Sequence, residues 1–128
     1  GDLGLAKLPG VAEERGKVFG TASFLSPEQA QDSSSADARS DLYSLALVLF
    51  EVLTGCPLRP KGSFVEMVKR IRSDRTAPPA ALLRESATEK LAVLLGRMME
   101  FSPALRPQSA KEALAELNEM NLPEEKFS

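Results

Sequence analysis

The stretch Leu42-Tyr-Ser-Leu-Ala-Leu-Val-Leu-Phe-Glu-Val-Leu53 constrains this chain more than any other. It is apolar nearly all round, whereas a helix on a protein surface carries a single apolar stripe. A frame that opens near Ser40 and closes at Gly55 predicts a helix from about Ser40 to Thr54, with Asp41 at its start. Such a rod should be surrounded by protein and form the centre of the domain. It carries Glu51 and falls short of the ~20 apolar residues that span a bilayer, so no membrane partner is expected in this segment.

Helix-start patterns recur around it. Ser-x-x-Glu or Ser-x-x-Gln stands at Ser26/Gln29, Ser63/Glu66, Ser86/Glu89 and Ser109/Glu112. The Ser oxygen accepts from a free N–H of the first turn, and the Glu or Gln reaches back to the cap. Pro27 strengthens the first of these. Leu91, Leu94, Leu95, Met98 and Met99 in a helix near 87–101, and Ala113, Leu114 and Leu117 in one near 110–119, repeat at helical spacing and should pack on the central rod. Tyr43 and Phe50 read as core. Residues 1–24, 31–38, 56–62 and 74–84 read as loops, and the tail from Asn121 as frayed.

Composition then removes whole classes of function. With 43% hydrophobic residues in a 128-residue chain, one small domain can bury a core. Sixteen basic and eighteen acidic side chains leave no basic stripe for nucleic acid. The absence of histidine excludes His-based metal sites and Ser-His or Cys-His catalysis. Cys56 is the single cysteine, so no internal disulfide forms, which fits a reducing, cytoplasmic setting. The first residue is Gly rather than Met, in keeping with a fragment or a processed product.

Four segments, in order, carry a resemblance. Asp2-Leu3-Gly4-Leu5-Ala6-Lys7 looks like an Asp-Phe-Gly segment with Leu for Phe. Phe19-Gly20-Thr21-Ala22-Ser23-Phe24-Leu25-Ser26-Pro27-Glu28-Gln29 looks like the end of an activation segment, with Ser-Pro-Glu for Ala-Pro-Glu. Asp37-Ala-Arg-Ser-Asp41-Leu-Tyr-Ser-Leu45 with Leu53-Thr-Gly55 is similar to the central helix, and Ser102-Pro103-Ala-Leu-Arg106-Pro107 to the Arg-Pro turn before the last helix. Together they resemble the C-terminal lobe of bacterial-type protein serine/threonine kinases.

That resemblance implies a mainly α fold: a helical bundle around a buried central helix, with a long activation-segment loop at the N-terminus. Residues 1–119 are expected to be a partial kinase domain, with 1–29 the magnesium-binding and activation segment, 30–119 the helical lobe and 120–128 a tail. By the same resemblance Asp2 would hold Mg²⁺ beside the ATP phosphates, and Thr21 would sit where the substrate hydroxyl arrives. Phe24, Leu25, Ser26 and Pro27 would form the wall facing the residue after the phosphorylated one. Glu28 and Arg106 would make a buried structural ion pair. Asp41 would hold the catalytic loop, and Val48 and Val52 would carry the apolar column under the adenine. Leu5 to Phe19 holds no Ser, Thr or Tyr, so only Thr21 and Ser23 at the loop's end could accept phosphate; Glu13 and Glu14 read as solvated loop charge, with standing negative charge in place of a phosphate as the alternative.

The chain contains no Gly-x-Gly-x-x-Gly, and neither Asn118 nor Asn121 has an Asp five residues before it. Transfer of phosphate requires such a loop, a strand lysine and an Asp/Asn catalytic pair. The expectation is therefore the C-terminal part of a kinase that moves the ATP γ-phosphate to protein Ser or Thr, inactive alone. Its partners would be a protein substrate and the missing N-terminal lobe, and no tight ATP or Mg²⁺ binding is expected of the fragment. A non-catalytic interaction module on the same helices is the alternative.

Overall fold

The computed structural model describes residues 24–59, 62–75 and 79–120. Asp2, Leu3, Glu13, Glu14, Thr21 and the tail from Asn121 lie outside them. The described chain is mainly helical and contains no strand among those residues. Six α-helices follow in order: α1 Pro27–Gln31, α2 Ala38–Thr54, α3 Phe64–Ser73, α4 Ala80–Ser86, α5 Glu89–Met98 and α6 Ala110–Asn118. Single 3-10 turns at Ser33–Ser35 and Pro103–Leu105 join α1 to α2 and α5 to α6.

Local chemistry sets most boundaries. Ser26 and Gln29 form a complete capping box: Gln29 N–H donates to Ser26 Oγ at 3.3 Å, and Ser26 N–H donates to Gln29 Oε1 at 2.9 Å. Ser63 and Ser109 cap α3 and α6 through the N–H groups of Glu66 and Glu112. Glu112 turns its carboxylate to the N–H of Gln108 instead of Ser109, at 2.7 Å. Gly55 ends α2 at φ 74°, in the left-handed region, and its N–H donates to Glu51 O at 2.8 Å.

Three boundaries differ from the sequence reading. Asp37, not Asp41, caps α2, accepting from the N–H groups of Arg39 at 2.9 Å and Ser40 at 3.4 Å. Asp41 lies within the first turn, because Ala38-Arg-Ser can already be helical once Asp37 supplies the oxygen. Thr88, directly before Glu89, caps α5 through the N–H of Leu91, whereas Ser86 closes the preceding helix. Residues 80–84, expected to be loop, are helix and belong to α4. Pro79 occupies the N-cap, where a missing N–H is harmless, and Ala80-Ala-Leu-Leu83 are strong helix formers.

The core gathers on α2. Leu42, Ala46, Leu47 and Phe50 meet Leu83 of α4, Ala92, Leu94, Leu95 and Met98 of α5, Met99, and Ala113 of α6. Burying Phe50 or Leu95 contributes about 1.5–3 kcal/mol each. Leu114 of α6 points to solvent, while Leu117 is partly covered. Helix α1 packs instead on α3, and Arg72 of α3 donates from Nε to Ala30 O at 2.6 Å.

Helix α2 is not enclosed on every side. Leu45 and Val48 are each 39% exposed and Val52 72%. Steps of three and four residues place these three on one face. Helices α4, α5 and α6 pack against the rest of α2, so the all-round apolar composition leaves an open stripe.

Candidate functional site

The polar centre of the molecule is the guanidinium of Arg106, whose side chain is fully buried. It is delivered by the Pro103–Leu105 turn, where Pro103 starts the turn and Pro107 follows the arginine. Every guanidinium N–H finds an acceptor. Nη1 donates to Glu28 Oε2 at 2.6 Å and to Arg39 O at 3.1 Å. Nη2 donates to Glu28 Oε1 at 2.9 Å and to Phe101 O at 3.1 Å. Nε donates to Glu100 O at 2.8 Å. Arginine has five N–H donors in a rigid fork, and a carboxylate takes two of them side by side. The guanidinium also lies over the Tyr43 ring, 4.7 Å from its centroid.

Glu28 enters from the first turn of α1, set in place by the Ser26 cap and Pro27. Ser40 Oγ donates to Glu28 Oε2 at 2.6 Å. Burial alone would raise the Glu28 pKa, but the hydrogen bonds from Arg106 and Ser40 and the Arg106 charge outweigh it and hold the carboxyl below its ordinary value.

The segment leading into α1 is pinned as firmly. Ser44 Oγ donates to Phe24 O at 2.6 Å. Arg59, from the loop after α2, donates from Nη1 to Leu25 O at 2.6 Å and from Nη2 to Tyr43 Oη at 2.9 Å. Ser26 and Pro27 are buried behind this segment.

The structure thus brings together Phe24, Leu25, Ser26, Pro27, Glu28 and Arg106. Asp41 stands half-buried on the first turn of α2, while Val48 and Val52 lie along the open stripe. Tyr43, read from sequence as plain core, is also the seat for two guanidinium groups. Ser40, Ser44 and Arg59 were not singled out from sequence. Ser44 left a signal, since it interrupts the apolar run, and Ser40 stands four residues before it on the same face. Arg59, within a Pro-rich loop, left none. Cys56 is exposed and its N–H is bound by Thr54 Oγ1 at 3.2 Å.

Among the described residues, no group of three or more His, Cys, Asp or Glu side chains converges as a metal ion requires. Nor is any helix among them long and apolar enough to cross a membrane.

Comparison with known proteins assigns the architecture. Residues 1–117 match the protein kinase domain family. The chain is 42% identical over 100 residues to the serine/threonine-protein kinase PknB of Mycobacterium tuberculosis, covering 78% of this chain and 16% of that protein. It is 39% identical over 108 residues to the probable serine/threonine-protein kinase PknB of Corynebacterium glutamicum, covering 81% of this chain and 16% of that protein. It is 34% identical over 122 residues to the probable serine/threonine-protein kinase CPE1738 of Clostridium perfringens, covering 93% of this chain and 17% of that protein. The chain spans about a sixth of the length of these curated relatives. With the match running almost end to end, the chain belongs to the protein kinase domain family.

Proposed function

We propose that this chain is the substrate-facing C-terminal part of a protein serine/threonine kinase, whose intact form moves the γ-phosphate of ATP to a Ser or Thr hydroxyl of a protein. The observation that carries the reading is the Arg106 clamp, which ties the Ser-Pro-Glu segment to the Arg-Pro turn with all five donors used. In this reading residues 1–29 are the magnesium-binding and activation segment, residues 30–119 the helical lobe, and residues 120–128 a tail.

Each named residue then has a task. Asp2 is the Mg²⁺ ligand this chain contributes, beside a ligand from a catalytic loop; the ion neutralises charge on the phosphate oxygens. Thr21 orients the acceptor hydroxyl. Phe24 to Pro27 form a wall against the residue that follows it, with half-buried Phe24 and Leu25 at its surface and buried Ser26 and Pro27 behind them. Glu28 and Arg106 hold that wall to the lobe. Asp41 fixes the catalytic loop, and Val48 and Val52 back the adenine. The partners are a protein substrate and the N-terminal lobe, in the cytoplasm, where ATP is held.

The 128 residues contain no Gly-rich phosphate loop and no Asp-x-x-x-x-Asn, so by themselves they transfer nothing. The open stripe of Leu45, Val48 and Val52 favours one second reading, a non-catalytic interaction module. Radiolabelled ATP with a general protein substrate separates them. The chain alone should give no labelled product. Joined to the N-terminal lobe and catalytic loop of a bacterial serine/threonine kinase, it should give one. Label from the chain alone overturns the predicted inactivity, and a folded but silent chimera favours the module.

A further inference from the structure

The loop after α2 sends one residue back across 34 positions of sequence to the wall segment. Arg59 donates to Leu25 O at 2.6 Å and to Tyr43 Oη at 2.9 Å, with its guanidinium carbon 5.4 Å from the Tyr43 ring centroid. The preceding carbonyl, Phe24 O, is held by Ser44 at 2.6 Å. The next residue, Ser26, is locked in the capping box. Two successive peptide planes are therefore fixed from outside the segment. Because each peptide unit is planar, fixing the two units on either side of the Leu25 Cα fixes its φ and ψ, and with them the direction in which its side chain leaves the backbone.

Packing alone would be served by an apolar residue. A buried cation has to recover its lost hydration through charge-assisted bonds. Burial lowers the Arg59 pKa, while Tyr43 and Asp74 favour the charged form. The bond to Leu25 O is thus one between a cation and a carbonyl in a partly dry site, stronger and more directional than a neutral one.

We propose that Arg59 is a positioning residue for the substrate wall: by fixing the Leu25 carbonyl it sets the surface that meets the residue after the phosphoacceptor, and so tunes which side chain is accepted there. This rests on the kinase reading of residues 24–27.

The test uses the full-length protein that carries this chain, as wild type, Arg59→Ala and Arg59→Lys. Hydrogen exchange is read on the amides of residues 24–26, 28 and 29. Phosphorylation is read with peptides that differ only in the residue after the acceptor. In Arg59→Ala, exchange should speed up about tenfold, peptide KM should rise about tenfold, and the preference among peptides should flatten, in line with losing one charge-assisted bond. The KM for ATP and kcat should stay within about twofold, and Arg59→Lys should recover part of the preference because it keeps a cationic donor. Unchanged exchange overturns the proposal. So does a lowered melting temperature with peptide KM and preference intact, which would make Arg59 merely structural. If wild type phosphorylates no peptide, the kinase reading falls and the specificity role with it, while the exchange arm still decides whether Arg59 fixes Leu25.

Discussion

Ser40 donates its hydroxyl hydrogen to Glu28 Oε2 at 2.6 Å, and the same hydroxyl accepts from the N–H of Asp37 at 3.2 Å. One side chain therefore serves both the α2 capping box and the Arg106 clamp. Ser40→Ala removes both contacts and leaves a carboxylate oxygen with one partner fewer. A loss of about 1–3 kcal/mol is expected. It should appear as a lower urea midpoint with an unchanged slope; an unshifted midpoint would contradict the shared role.

Arg106 is the most demanding position. Arg106→Met leaves Glu28 partly buried without its cation and strips three carbonyls of a donor, so a loss of about 3–5 kcal/mol is expected. That is a large share of the ~5–15 kcal/mol that holds a domain together. Arg106→Lys offers three donors where five are used, and should recover only part of the loss. The double variant Glu28→Leu with Arg106→Met should lose less than the sum of its single changes. Additive losses in denaturant titrations would argue against a coupled pair.

Acid should loosen the clamp. The Glu28 carboxyl is held below its ordinary value of 4.5 in the folded chain. A depressed folded-state pKa contributes stability that is complete above the unfolded value and is lost as pH falls through the folded one. Melting temperature should therefore fall below about pH 4.5, and the Glu28→Gln variant should show a shallower fall over that range. Parallel curves for the two proteins would assign the acid limb to other groups.

Gly55→Ala isolates a backbone effect. A Cβ at this position meets nothing within 4 Å, so crowding is not an issue. The cost comes from holding an L residue at φ 74° and should be about 1–2 kcal/mol. Gly55→Asn should cost less, since Asn tolerates the left-handed region better. Thermal melts of the two variants decide it.

Val52→Glu probes the open stripe. At 72% exposed, Val52 contributes little to the stability of this chain, and the change should stay within about 0.5 kcal/mol. The same charge should block productive assembly with a separately supplied piece that carries the N-terminal lobe and catalytic loop, read as loss of the phosphate transfer that the wild-type mixture gives. Full transfer would place the stripe outside that interface.

Much of this architecture was legible because it follows from short-range chemistry. The Ser26-Pro27 start, the Ser63 and Ser109 caps and the Gly55 stop each need only a few neighbouring residues. The pairing of Glu28 with Arg106 was reached through resemblance, since no local rule joins residues 78 positions apart. The misses share a cause. Asp37 and Asp41 are both plausible oxygens at a helix start, and only the backbone path chooses between them. Thr88 competes with Ser86 at two residues' distance. The open stripe on α2 was invisible because an apolar face reads alike whether or not a neighbour covers it. Arg59 looked like a loop charge, because its acceptors, Leu25 O and Tyr43 Oη, belong to other parts of the chain.

The five-bond seat of Arg106 also governs how the molecule comes apart. Its acceptors belong to Glu28, Arg39, Glu100 and Phe101, so α1, the start of α2 and the turn before α6 share a single knot. None can peel away without breaking bonds to this one guanidinium. These three regions should form one cooperative opening unit, with slow and concerted amide exchange, even though α1 is only five residues long and would fray at once on its own.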